Sequence, residues 1–167
     1  VLQRVRNMGS RRTDDVLSAL GVRPDRVEGP VLFGGECAGV VSAVGEGVTN
    51  LRVGDAVIAV APHCFRRFVT VSARFAATKP AGIGFEEGAT LPIAFMTAHW
   101  AMTHKGRLRA GERILIHAAS GGVGLAAVQL ARRLGLEIFA TAGSPEKRDY
   151  LRRLGVRHVM DSRTLDF

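Results

Sequence analysis

Ile114-Leu-Ile-His-Ala-Ala-Ser-Gly-Gly-Val-Gly124, running on through Leu125-Ala-Ala-Val-Gln-Leu-Ala131, is the stretch whose reading decides the fold. Ile114, Leu115 and Ile116 predict a short parallel-sheet strand buried on both faces. Gly121, Gly122 and Gly124 follow, where the backbone must turn sharply and let a phosphate come close. The helix that begins there offers unpaired N–H groups and a positive dipole end to a pyrophosphate. Against G-x-G-x-x-G the glycine positions fall on Ala119, Gly121 and Gly124, so alanine replaces the first. A lone degenerate glycine motif is weak. Here it has a strand before it, a helix after it and a second strand, Glu137-Ile-Phe-Ala-Thr141, close behind. The competing reading is a helix-packing turn that holds no ligand.

The end of the second strand bears on which dinucleotide fits. A site for NAD carries Asp or Glu there to bond the ribose 2′-hydroxyl. This chain has Thr141-Ala-Gly-Ser-Pro-Glu-Lys-Arg148, with small and hydroxyl residues followed by two cations. That suits a 2′-phosphate, with Ser144 as hydrogen-bond donor and Lys147 as charge partner, so NADPH is the expected cofactor. Ser144 also reads as a helix cap before Pro145, with Lys147 and Arg148 solvated; the two readings are compatible.

The 167 residues suffice for a sizeable core, and 47% hydrophobic content with 20 glycines fits a globular α/β protein. There is no run of 18 apolar residues, so no membrane span is expected, and Val1-Leu-Gln-Arg-Val-Arg6, with no apolar core segment, is not expected to act as a signal peptide. Cys37 and Cys64 make no disulfide framework and fit a reducing cytoplasm. The net charge of +8 raises nucleic-acid binding. The arginines are scattered as pairs (Arg11-Arg12, Arg66-Arg67, Arg132-Arg133, Arg152-Arg153) with few aromatics to stack bases, so no nucleic-acid partner is expected.

Along the chain, Asp14–Gly21 predicts a helix capped by Thr13 or Asp14 and closed by Gly21, before a polar loop that ends at Pro30. From Val31 the pattern turns to β: a small-residue strand over 34–45, strands at 56–60 and 65–71, and glycine turns between them, as in a partly open barrel. A helical region runs from Phe85 through Ala101. After Ile114–Ile116 come a helix over 122–134, a strand over 137–141, a helix over 145–154 and a strand near His158-Val-Met160. This βαβαβ alternation is half of a doubly wound sheet. The expected division is 1–80, a β-rich substrate-side piece, and 81–167, a dinucleotide-binding piece.

Gly34-Gly-Glu-Cys-Ala-Gly-Val-Val41, Arg52-Val-Gly-Asp-Ala-Val57, Ala89-Thr-Leu-Pro-Ile-Ala-Phe-Met-Thr-Ala98, Leu108–Gly124 and Ser162-Arg-Thr-Leu-Asp-Phe167 together resemble the enoyl reductase domain of modular polyketide synthases. That domain is similar to quinone oxidoreductases, in the medium-chain dehydrogenase/reductase superfamily. The resemblance covers most of residues 14–167. It implies an α/β fold, with a partial GroES-like β-barrel piece and the first half of a Rossmann doubly wound parallel sheet. It implies NADPH-dependent reduction of an α,β-unsaturated thioester on an acyl carrier protein, with neighbouring synthase domains as partners. Gly121, Gly122, Val123 and Gly124 would hold the pyrophosphate and Ser144 and Lys147 the 2′-phosphate, with Ala119 and Thr141 also at the cofactor and Thr97 along the nicotinamide side.

The departures from that family matter as much. Its Asn-Phe-Arg-Asp-Val-Leu motif is Arg12-Thr-Asp-Asp-Val-Leu17 here, and Arg23 or Val22 stands where many members carry a tyrosine. Tyr150 reads as a surface or packing residue, Asp161 and Asp166 have no assigned role, and no catalytic residue is assigned. Zinc-dependent relatives carry Gly-His-Glu where this chain has Gly34-Gly-Glu36. Glu36, Cys37, His63 and Cys64 match no zinc spacing, and no metal is expected. His117 reads equally as a cofactor contact or a satisfied core histidine; His99, His104 and His158 read as structural and Gln129 as helix filler. The family's first strands, second Rossmann half and returning barrel strands are missing. The chain is therefore expected to be truncated at both ends and poorly active alone, with its open sheet edges covered by association, for example as a homodimer. A free-standing zinc-independent quinone reductase and a non-catalytic fragment stand as alternatives.

Overall fold

The computed structural model describes residues 13–20 and 33–164, apart from the side chains of residues 13, 14 and 18. The side chains of the expected caps Thr13 and Asp14, the stop at Gly21, the loop to Pro30 and Arg23 lie outside what is described. Two compact units divide the chain, Val1–Ile93 and Ala94–Phe167.

The first unit contains α1 (Thr13–Ala19), β1 (Glu36–Val40), β2 (Ala56–Val60), β3 (Ala76–Thr78) and α2 (Phe85–Gly88). The strands form an antiparallel sheet in the order β1-β2-β3, with Cys37 opposite Ala59 and Ile58 opposite Ala77. Its core is built from small and β-branched residues: Cys37, Val41, Val57, Ala59, Cys64 and Val69. Glycine is required at Gly34. Its φ is +90°, and a Cβ there would lie 2.8 Å from the backbone nitrogen of Phe65.

The strand expected at 65–71 does not form. Cys64 and Phe65 donate N–H bonds to Gly34 and Phe33, but the Arg66 N–H then turns back to the Cys64 carbonyl at 2.7 Å. That turn takes the chain off the ladder, and Val69 and Val71 reach the core as single inserted side chains. The expected boundary near Ala81 falls inside the first unit. A Cβ on Gly88 of α2 would lie 3.2 Å from Ile58 Cγ2 and 3.3 Å from Ala38 Cβ, so α2 packs against β1 and β2.

The expected helical region from Phe85 through Ala101 forms as separate segments. α2 ends at Gly88 and α3 (Pro92–His99) starts with a proline at its first position, where a missing N–H costs nothing. The division between units falls within α3. Trp100–Lys105 then continues as a π-helical turn, with the Gly106 N–H donating to the Ala101 carbonyl. β4 (Arg113–Ile116), α4 (Gly122–Arg133), β5 (Glu137–Ala142), α5 (Pro145–Arg153) and β6 (His158–Asp161) follow the predicted alternation closely. Their strands are parallel, in the order β4-β5-β6.

α4 supplies Ala126, Ala127, Val128 and Ala131, and α5 supplies Leu151, to a core with Ile116, Ile138, Ala140 and Ala142. β4 is not buried on both faces. Leu115 is 49% exposed, because the helical core gathers on the Ile114/Ile116 side and β4 pairs only with β5 among the described residues. Burial in β4 therefore alternates with the two-residue period of a half-buried strand. No described helix is long and apolar enough to cross a membrane.

Candidate functional site

The end of β4 and the start of α4 build one tight turn. Ala118 sits at φ +49°, in the left-handed region, which costs a non-glycine residue about 1–2 kcal/mol. Thr141, only 1% exposed, holds the turn from the next strand. Its hydroxyl lies 3.2 Å from His117 Nδ1 and accepts the Ala118 N–H at 3.4 Å, while its carbonyl accepts the Ala119 N–H at 2.9 Å. His117 is thus neither a core histidine nor free: its ring is exposed and tethered to Thr141. Thr141→Val keeps the shape and removes the hydroxyl. It is expected to lower stability by about 0.5–1.5 kcal/mol, the usual net contribution of a hydrogen bond, seen as a lower Tm; an unchanged Tm would remove Thr141 from this role.

The glycines divide the labour. Gly121 is the extended residue before α4, and a Cβ on Gly122 meets nothing within 4 Å, so the helix start faces open space. Gly124 is buried, and a Cβ there would lie 2.5 Å from the Ala118 carbonyl oxygen and 2.6 Å from Ala119 Cα. Its part is close helix–strand packing, the role of the third glycine in dinucleotide folds. Ala119 is fully buried and offers only backbone, while Val123 is 45% exposed at the helix start. Thr97 is exposed on α3.

At the end of β5 the chain gathers cations. The Ser144 hydroxyl caps α5 by accepting the Lys147 N–H at 3.4 Å, with Pro145 at the first helical position. Ser144 also bonds the Glu146 carboxylate, which holds that carboxyl below its ordinary range. Arg148 is not solvated as expected. It donates to the Ala142 carbonyl at 3.2 Å and pairs with Asp161 at 2.7 Å, so it fastens β5 to β6. Asp161, left without a role by the sequence, is the acceptor in that pair. It also accepts the Arg163 N–H at 2.8 Å.

Arg163 is the residue the sequence reading missed. Its Nε lies 3.0 Å from where a Cβ on Gly143 would be, so the loop after β6 reaches the loop after β5. The signal was Gly143 itself, which leaves room for a guanidinium beside Ser144 and Lys147. With Asp161 engaged by Arg148, this end of the sheet keeps Lys147 and Arg163 exposed.

In the first unit, Cys37 and Cys64 are fully buried and share a hydrogen bond, which pushes the Cys37 thiol up and draws the Cys64 thiol down. Buried Glu36 accepts the Ile93 N–H at 2.8 Å, tying β1 to the first turn of α3. His158, expected without a partner, stacks on Phe139 and lies 3.1 Å from Glu137, because parallel register sets β6 beside β5. Tyr150 is 41% exposed, as a surface residue.

Residues 1–105 match the family described as alcohol dehydrogenase GroES-like domain, and residues 122–167 match zinc-binding dehydrogenase. The chain is 47% identical over 154 residues to a phthioceranic/hydroxyphthioceranic acid synthase of Mycobacterium tuberculosis, covering 92% of this chain and 7% of that protein. Among solved structures, the CurK enoyl reductase is 44% identical with a TM-score of 0.85, over 99% of this chain and 51% of that one. Escherichia coli quinone oxidoreductase complexed with NADPH is 31% identical with a TM-score of 0.83, over 99% and 51%. The chain therefore spans about half the length of these solved structures and a small share of the synthase. Despite the second family's name, no group of three His, Cys, Asp or Glu among the described residues is placed to hold a metal ion. Cys37 and Cys64 meet as a pair, fewer than the three protein ligands of a catalytic zinc. The described residues do not fit that metal.

Proposed function

Because the chain belongs to the medium-chain dehydrogenase/reductase superfamily, we propose that it serves as an NADPH-dependent enoyl-thioester reductase domain of a polyketide synthase. The observation that carries the cofactor choice is the end of β5: Lys147 and Arg163 stand exposed there, and the nearby Asp161 is engaged by Arg148. The open space over Gly122 at the start of α4 fits a pyrophosphate. Gly121, Gly122 and Val123 would hold it, with Gly124, Ala119 and Thr141 fixing the turn. Ser144, Lys147 and Arg163 would hold the 2′-phosphate, and Thr97 would lie along the nicotinamide side. Bound NADPH would supply a hydride to the β-carbon of an α,β-unsaturated thioester on an acyl carrier protein, with a proton going to the α-carbon. This chain's residues bind and orient; none is assigned as proton donor.

The synthase relatives and the CurK enoyl reductase support the thioester reading. The likeness to the quinone oxidoreductase supports a second, a quinone reductase using the same cofactor. Titration of the full chain with NADPH and with NADH, followed by thermal shift and Trp100 fluorescence, tests the cofactor. NADPH at 100 times its Kd is expected to stabilise the chain by about 2.7 kcal/mol, with NADH weaker. Equal or absent responses overturn the choice of NADPH. Oxidation of bound NADPH by a crotonyl thioester, compared with a benzoquinone, then separates the two reductase readings.

A further inference from the structure

The net charge of +8 is not used by the dinucleotide reading. Much of it lies at the opposite end of the second unit, where the strands start and the helices finish. α4 ends in Arg132-Arg133 and α5 in Arg152-Arg153; Arg109 lies in the loop into β4, and Arg157 in the loop into β6. Cations at helix C-termini are favoured by the helix dipole, which explains one or two of them.

The carboxylates at this end are already engaged. Glu137 uses one oxygen on Arg113 and the other on His158, both at 3.1 Å. Asp149 pairs with Arg152 at 2.7 Å, and Glu112 accepts the Arg109 backbone N–H at 2.7 Å. The side chains of Arg109, Arg132, Arg133, Arg153 and Arg157 are exposed, with no ion pair among the described residues. Two of them meet in an open cleft of about 410 Å³ lined by Arg132, Gly135, Glu137, Gly155, Arg157 and His158. The Arg132 guanidinium lies 3.2 Å from where a Cβ on Gly155 would be, so it reaches over that turn toward Arg157.

We infer that this face docks an acidic protein segment, one of whose carboxylates enters the cleft between Arg132 and Arg157. The planar guanidinium matches a carboxylate in a bidentate pair. A protein partner fits better than a nucleic acid. The arginines stand as separate side chains at the ends of two helices and two loops, with no free aromatic beside them, since Phe139 is covered by His158 instead of being free to stack a base.

The test uses the full chain and a fluorescein-labelled helical peptide with glutamates spaced i, i+3 and i+4, against a duplex DNA of similar charge. Binding of the peptide that weakens with salt is expected. Arg132→Glu with Arg157→Glu should weaken it at least about tenfold, within the range for removing partners of interfacial charge pairs. Arg133→Glu with Arg153→Glu repeats the test at sites without cleft packing, should the first variant unfold, and should weaken binding severalfold. Arg66→Glu with Arg74→Glu makes the same charge change at residues that do not line the cleft and should leave peptide binding within about twofold, since exposed charges outside direct contact are screened by salt. No peptide binding, equal loss in the first-unit variant, or tighter binding of the DNA would each overturn the inference.

Discussion

Gly124→Ala is expected to destabilise the second unit by about 3 kcal/mol or more, at the upper end of the cost of overpacking a tight contact. The added methyl would lie 2.5 Å from the Ala118 carbonyl oxygen and 2.6–2.7 Å from backbone atoms of Ala119. Those atoms cannot swing aside as a side-chain tip would. Ala118 is already held in the left-handed region, and Ala119 is bonded through its N–H to Thr141. Relief must come from moving α4 away from β4, which opens the core at Ala126, Ala127 and Val128. The paired substitution Gly122→Ala has the opposite signature. Its methyl meets nothing within 4 Å, and alanine is the better helix former, so the fold is kept or slightly stabilised. It does intrude on the space at the helix start, and NADPH affinity should fall about tenfold, roughly 1.4 kcal/mol. Thermal melts and NADPH titrations of the two variants separate packing from binding. A Gly124→Ala chain that melts like the parent would show that the turn is soft, and the argument from close packing would fail.

That division of labour among glycines is where sequence and structure part. The βαβαβ order was legible because each element carries its own signal: a period near 3.6 in 122–133, the Ser144-Pro145 start of α5, and short apolar runs for the strands. The antiparallel piece was less so. Phe65–Val71 has strand composition, yet a single N–H turned back from Arg66 to Cys64 takes it off the ladder, and no residue pattern announces that bond. β4 reads as an apolar run because Leu115 is apolar; exposure depends on what covers that face, which is a tertiary matter. Lys147 was found because it follows a glycine-serine-proline signature on the same strand end. Arg163 was not, because it arrives from the loop after β6, and only the parallel pairing of β5 with β6 makes it a neighbour of Gly143. Arg148 was misread for the same reason: its partner Asp161 lies across that pairing.

The second large effect concerns which dinucleotide binds. Lys147→Ala combined with Arg163→Ala is expected to cost NADPH about 100-fold in affinity while changing NADH little, since hydrogen bonds to charged groups contribute about 1.5–3 kcal/mol each and adjacent charges on one phosphate do not add fully. Arg148→Ala is expected to behave differently. Arg148 is spent on Ala142 and Asp161, so removing it frees a carboxylate at the strand end and loosens β5 from β6. Stability should fall, and the released Asp161 should disfavour a 2′-phosphate while leaving the 2′-hydroxyl of NADH unpenalised. Glu146 offers a check of opposite sign. Its carboxylate occupies the Ser144 hydroxyl, and a bound 2′-phosphate must displace it, so Glu146→Gln should tighten NADPH and leave NADH unchanged. The three variants thus move the NADPH-to-NADH ratio down, down and up, with a stability loss only in the Arg148 variant. A ratio unmoved by the Lys147/Arg163 double variant would place the 2′-phosphate elsewhere. A Glu146→Gln ratio that falls would mean that the carboxylate helps the cofactor, and the serine–lysine–arginine cluster would then be better read as the start of a helix and nothing more.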